Sequence, residues 1–199
     1  MSLDTPLDDA TLARLYTDAR THGTWQDHPV SEAQLRQLYE LTRWGPTAMN
    51  FSPLRVRYIQ SPEARARLLP LMAEGNRAKT GLAPAVAILA RDVDFHQHLP
   101  TLAPHREGLR EQLADKLAMR EGASSLNAAL QIGYFILAVR SLGLDAGPMG
   151  GFDAAGVDAE FFAGTGLKSM VVCNIGHGDP AALRPRAPRL DFDTACAIL

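Results

Sequence analysis

The order of patterns in this chain predicts an α+β fold. Helical stripes dominate, and the strand-like runs at 54–60, 84–91 and 167–179 do not alternate with helices in the regular way that βαβ units require. The glycines agree. No GxGxxG follows a strand, and neither GxxxxGK[ST] nor HExxH occurs, so a Rossmann site, a P-loop and a zincin are unsupported. A length of 199 residues, 46% of them hydrophobic, suits a single domain over 1–199 that buries a full core.

Taken in order, residues 8–19 put Leu12, Leu15 and Tyr16 on one helical stripe. Ser31 and Gln34 have capping-box spacing and open a helix over 31–44. Its face is Leu35, Leu38, Tyr39 and Thr42, and Gly45–Pro46 end it. "LRVRYIQ", 54–60, alternates as a strand does. Ser61 caps the next helix, Pro62 fits its first turn, and Pro70 ends or kinks it. A short helix around "GNRAKTGL" leads into "PAVAILAR", 84–91, an apolar β-branched run of the kind found in interior strands.

Prolines, histidines and charges break the pattern over 92–120, which reads as a mobile insertion or lid with some helix. Residues 121–144 form one long helix, apolar almost all round from Leu126 to Leu142, with Gly143 as C-cap. Such a helix is buried, in the core or in a subunit interface. "DAGPMGGFD", 145–153, reads as a tight glycine loop, and Asp153 caps a short helix ending at Phe161–Phe162. A second interior strand follows over 167–179, then a basic tail and a short helix from Asp193.

Composition excludes several functions. A formal charge of -2 gives no global positive field for nucleic acid. The acidic N-terminus lacks the apolar region of a signal peptide, and the apolar runs read as too short for a membrane span of about 20 residues. Cys173 and Cys196 match no metal or redox spacing, so no metal is expected and both read as small core hydrophobes. Two scattered cysteines suit a cytoplasmic protein.

The candidate chemistry lies in loops. "RWGPTAMNFSP", 43–53, is longer than a turn between helix and strand needs. Arg20, Thr21 and His22 end the first helix, and Asn76 and Lys79 share one face of a helical turn. Arg184, Arg186 and Arg189 are held extended by Pro185 and Pro188. Arg20 with two tail arginines would clamp a phosphate, because guanidinium forks match phosphate oxygens. Singly, each of these is also readable as a solvated charge, and "GPMGG" as a plain turn. Their joint order along the chain is more informative.

That order resembles the FMN-dependent nitroreductase family over nearly the whole chain. The resemblance rests on Arg20–Thr21, on Trp44-x-Pro46–Thr47-x-x-Asn50-x-x-Pro53, on Asn76-x-x-Lys79, on Gly150–Gly151 and on Arg184 with Arg186. "VRSLGLDAGPMGGFD", "FFAGTGLKS" and "NIGHGD" resemble the malonic semialdehyde reductase branch of pyrimidine catabolism. Two positions depart from the family pattern. Gly23 stands where many members have a second basic residue, which shifts the phosphate grip to His22 or the tail arginines, and Gly150 stands where many have an acidic one.

The resemblance implies a nitroreductase-like fold with a mostly antiparallel sheet flanked by helices, in an intertwined homodimer. It implies FMN as cofactor and NADPH or NADH as hydride donor. Arg20, Thr21, Arg184 and Arg186 would hold the phosphate, and Asn76 the pyrimidine edge. Pro46, Thr47, Ala48 and Asn50 would pack on the flavin of the partner subunit. Pro148, Met149, Gly150 and Gly151 would line it, with the Gly151 N–H at N5. No dedicated catalytic acid or base is implied; Lys79 and Gly151 tune the flavin, which passes hydride in ping-pong fashion. The branch implies malonic semialdehyde as acceptor, whose carboxylate would need Arg106, Arg110 or Arg120. Nitroaromatics and quinones are the alternative acceptors. A flavin-binding protein without turnover, and a plain interaction protein, are the rival readings.

Overall fold

The sheet has four strands: β1 (Leu54–Ile59), β2 (Ala85–Asp92), β3 (Asp145–Met149) and β4 (Leu167–Gly176). They lie in the order β1-β2-β4-β3, every pairing antiparallel. In this computed structural model, which describes residues 4–199, β2 is apolar on both faces. Ala85, Ala87 and Leu89 point to one side, and Val86, Ile88 and Ala90 to the other. A strand buried on both faces needs a layer on each.

The helices supply those layers. They are α1 (Asp9–Leu12), α2 (Glu32–Thr42), α3 (Pro62–Leu68), α4 (Glu74–Leu82), α5 (Leu99–Leu102), α6 (Leu109–Ala114), α7 (Leu117–Ser141), α8 (Ala154–Phe161) and α9 (Phe192–Ala195). Leu35 and Leu38 of α2 and Phe135 and Val139 of α7 cover one face. Leu68 of α3, Val157 of α8, Met72 and Phe162 cover the other. A third cluster of Phe51, Phe95, Leu99 and Leu113 sits beside the sheet. Local signals agree with the packing: the Ser31–Gln34 capping box forms, Ser61 and Asp153 cap α3 and α8, and Gly143 takes a positive φ after α7.

Several expectations need correction. "DAGPM" is strand β3 rather than part of a glycine loop, because β4 offers its backbone a pairing partner and Pro148 sits on an open edge where its missing N–H costs nothing. The stripe of Leu12 and Tyr16 is exposed, and the segment is α1 followed by a π-helical turn, Ala13–Thr17. α7 begins at Leu117 and is long and apolar enough by length and composition to cross a bilayer. Here its Phe135, Ala138 and Val139 pack on the sheet, while Leu126 and Leu130 remain exposed. Residues 92–120 are largely helical, in α5, α6, the start of α7 and the 3-10 turn Phe95–His98, and they enclose the third cluster. Cys173 is buried as expected, whereas Cys196 is exposed.

Two outcomes follow. Phe95 is fully buried against Phe51, with ring centroids 4.5 Å apart. Phe95→Ala should cost about 3–5 kcal/mol in urea unfolding; a near-zero change would mean that 92–120 does not share the core. Burial also pushes the Cys173 thiol up to about 12 from its ordinary 9.0. The unfolded chain loses this proton first, so the contribution to stability is complete below about pH 9 and falls as the pH rises toward about 12. Cys173→Ala should flatten that alkaline slope, while burial of Tyr58, whose pKa is also raised, leaves a residual one.

Candidate functional site

Four arginines line one cavity. A space of about 650 Å³ is lined by Tyr16, Arg20, Thr21, Arg140, Arg186 and Arg189, among others. Backbone carbonyls fix the arginines: Arg20 donates to Arg184 O, Arg186 to Ala19 O at 3.0 Å, and Arg140 to Leu15 O at 2.7 Å. Burial lowers the Arg140 pKa, with Asp145 opposing and Arg186 adding to the shift. An arginine starts so high that it stays charged at neutral pH. The sequence pattern points to Arg20, Thr21 and Arg186 and passes over Arg140, although one arginine inside the apolar run 126–142 was a usable signal. Arg184 contributes its carbonyl.

His22 lies elsewhere. Its ring is buried, with Nδ1 3.2 Å from Asp179 O and Nε2 3.8 Å from Asp145 Oδ1. It fills the space over Gly178, where a Cβ would come within 2.1 Å of the ring. His22 is thus packed among Asp145, Asp179 and Gly178 rather than on the lining of the arginine cavity.

A second cluster surrounds Gly151. Its carbonyl accepts from Ala73 N at 3.0 Å and from Asn76 Nδ2 at 2.8 Å. Its N–H has no protein acceptor among the described residues. A Cβ at Gly151 would lie 2.7 Å from Asn76 Nδ2, so any larger residue there would displace the amide from its bond to the Gly151 carbonyl. Lys79, on the same helix α4, is half-buried, and its carbonyl accepts from Trp25 Nε1 at 3.2 Å. Gly150 and Pro148 are exposed, whereas Met149 is in the core beside Thr80 Oγ1.

The third cluster is loop 46–53. Met49, Asn50 and Ser52 have φ of 49°, 57° and 40°, and they are the only non-glycine residues with positive φ among the described residues. Asn tolerates this region; Met and Ser do so at about 1–3 kcal/mol each. Contacts from outside hold the shape. Ala48 N donates to Asn127 Oδ1 at 2.7 Å, Asn50 Nδ2 to Leu102 O at 2.8 Å, and Tyr134 OH to Pro46 O at 3.0 Å. Thr47 Oγ1 accepts from Ser52 N at 3.2 Å.

The three candidate substrate cations diverge. Arg120 is buried and committed to Asp94, to Val93 O and to His96 Nδ1 at 3.1 Å. Burial, then Arg120, lowers the His96 pKa. Arg110 pairs with Glu111 at 2.6 Å on the surface, and Arg106 is exposed.

The clusters do not all converge within the chain. Loop 46–53 packs on α7 over one face of the sheet, and α4 with Gly151 lies over the other. Where the loop enters β1, Leu54 is level with Arg91 and Lys168, while Asp145, beside His22, is level with Gly176. That separates Leu54, at the end of the loop, from Asp145, which neighbours Arg140 of the cavity, by about 27 Å along the strands and about 14 Å across them.

Comparison with known proteins places this geometry. The Nitroreductase family model matches residues 16–177. A relative in Leptothrix cholodnii, provisionally named an NADH dehydrogenase/NAD(P)H nitroreductase, is 70% identical over 193 residues, covering 97% of this chain and 98% of its own. A Caulobacter vibrioides protein with the same provisional name is 51% identical over 97% of this chain and 98% of its own. Among solved structures, a nitroreductase-type protein of Exiguobacterium sibiricum in complex with FMN superposes with a TM-score of 0.81 at 18% identity, covering 100% of both chains. At that identity the likeness concerns the fold alone.

Gly45 supplies a local test of the loop. A Cβ there would overlap the Tyr134 ring at 1.9 Å. Gly45→Ala should cost about 1–3 kcal/mol in denaturant unfolding. In a double-mutant cycle the cost should largely vanish when Tyr134 is already alanine; additive effects would place the ring elsewhere in solution.

Proposed function

The chain belongs to the Nitroreductase family, and from that premise we propose that it is an NAD(P)H oxidoreductase working through bound FMN on a nitro or quinone acceptor. The observation that carries this reading is the cavity of Arg20, Arg140, Arg186 and Arg189. A cluster of guanidinium forks is chemistry suited to a phosphate monoester. The residues around Gly151 also fit a flavin: a flat ring can approach an unpaired backbone N–H where no Cβ intervenes. The provisional names of the relatives support the nicotinamide and nitro parts of the reading.

When bound, FMN supplies the hydride chemistry at its N5. The chain's own part is to bind, orient and polarise. Arg20, Arg140 and Arg186 would hold the phosphate charge. Asn76 and Ala73 fix the Gly151 carbonyl, and the Gly151 N–H, which has no acceptor among the described residues, would be available to the ring. Lys79, on the same helix as Asn76, would supply a cation to stabilise negative charge on the ring.

A second copy of the chain completes the site. The separation of loop 46–53 from the arginine cavity supports this, because one cofactor cannot reach both within a protomer. Exposed apolar groups offer the surface: Tyr39, Leu41 and Trp44 by the loop, Met49 in it, and Leu126 and Leu130 on α7. Stable dimers of this kind bury about 2,000 Å² or more. Malonic semialdehyde is a narrower acceptor reading, which rests on the sequence motifs; with Arg120 committed to Asp94, Arg106 is its first carboxylate partner to test.

The purified protein should release FMN on denaturation, sediment as a flavin-bearing dimer, and oxidise NADH or NADPH when a nitroaromatic is added. Arg186→Ala should weaken FMN retention roughly ten- to a hundredfold. Bound flavin without turnover would leave a flavin-storage protein, and no flavin after reconstitution would overturn the proposal.

A further inference from the structure

We propose that Asn127 and Gln131 of α7 are positioning residues, which hold loop 46–53 in its strained shape and so present it to the cofactor. The cofactor part rests on the function proposed above; the holding of the loop does not. The two residues are four apart and share a helical face. They are only 2% and 4% exposed, on a helix whose other sheet-facing residues are Ile132, Phe135, Ala138 and Val139. Each gives its side-chain oxygen to a backbone N–H at one boundary of the loop. Ala48 N donates to Asn127 Oδ1 at 2.7 Å, and Leu54 N donates to Gln131 Oε1 at 2.9 Å. The three positive-φ residues, Met49, Asn50 and Ser52, all fall between these two anchors.

The placement is not what α7 needs for its own packing. A buried amide costs free energy unless it is hydrogen-bonded, and an aliphatic residue of like volume would fill the same space. Asn127 Nδ2 is satisfied within its own helix by Ala123 O at 2.8 Å, which leaves Oδ1 directed at the loop. Strain at three residues persists only where surroundings over-determine it. Tyr134 OH on Pro46 O, Asp92 N on Pro53 O, Thr47 and the buried Phe51 add to the hold, while the two amides accept from the backbone N–H groups on either side of the strained residues. Met49 stays nearly half exposed between them, so the held loop offers a side chain outward rather than into its own core.

The test compares the wild-type protein with Asn127→Leu, Gln131→Leu and Asn127→Asp, the last of which keeps an acceptor oxygen in place. Two readouts are used: amide hydrogen exchange of segments 47–54 and 171–175 without added cofactor, and the Kd for FMN by fluorescence quenching. In both leucine variants exchange should quicken at least tenfold over 47–54 and stay unchanged over 171–175, in the central strand β4. Their FMN binding should weaken about tenfold or more, and Asn127→Asp should restore both properties. Equal acceleration over both segments would assign the amides to the core and overturn the proposal, as would leucine variants that match wild type or a failure of both to fold. If only one folds, it carries the test alone. If wild-type protein binds no FMN, the function proposed above fails, while the exchange data still decide whether the amides hold the loop.

Discussion

The structure depends on the demand that β2 be covered on both faces. Six consecutive apolar residues, Ala85 to Ala90, cannot meet water on either side, so helices must lie above and below. That demand fixes α7 against the sheet through Phe135 and Val139. Once placed, α7 is a rigid rod with functional groups at both ends. Asn127 anchors loop 46–53, and Arg140 faces the arginine cavity. They are thirteen positions apart, or about 20 Å along the helix. The spacing of the two halves of the candidate site is thereby set by an element whose own position is set by the core.

Much of this was legible in sequence because the signals were local. The Ser31–Gln34 box, Pro62 after Ser61 and Gly143 after α7 each satisfy or free backbone groups within a few residues, so a linear pattern suffices. What was not legible depended on distant partners. "DAGPM" looks like a loop until β4 is beside it. The 92–120 stretch has no periodicity, because Phe95, Leu99 and Leu113 come from three separate short elements and become a core only together with Phe51. His22 illustrates the same limit within the site. Its neighbours in sequence suggested a phosphate ligand, and its neighbours in space, Asp145, Asp179 and Gly178, make it a packed core histidine.

Backbone strain and exposed apolar surface occur together around the same loop. Trp44 is 76% exposed, and Met49, Tyr39 and Leu41 are also open. Patches of this kind mark a surface that another molecule covers. Strain near such a surface has a physical logic. A loop held in one shape before association loses less conformational entropy when it docks, so affinity comes from fewer contacts. The hydrogen bonds that fix it lie on the inner side, at Asn127, Gln131 and Tyr134, which leaves its outer side free.

The glycines around the site make a related point about space rather than flexibility. Positive φ occurs at Gly108, Gly143 and Gly164, none of which borders the three clusters closely. Gly45, Gly151 and Gly178 instead lie beneath a side chain that a Cβ would strike: Tyr134, Asn76 and His22, respectively. Each of those side chains then reaches a backbone carbonyl, at Pro46, Gly151 and Asp179. A glycine under a polar or aromatic group thus sets the height of that group above the backbone. At Gly45 and Gly178 the atoms met belong to rings packed close over the backbone, so an alanine would push the ring away and strain the hydrogen bond it makes. These two glycines are therefore spacers, whereas at Gly151 the neighbour is the movable end of the Asn76 amide, and at Gly150 a Cβ would meet nothing.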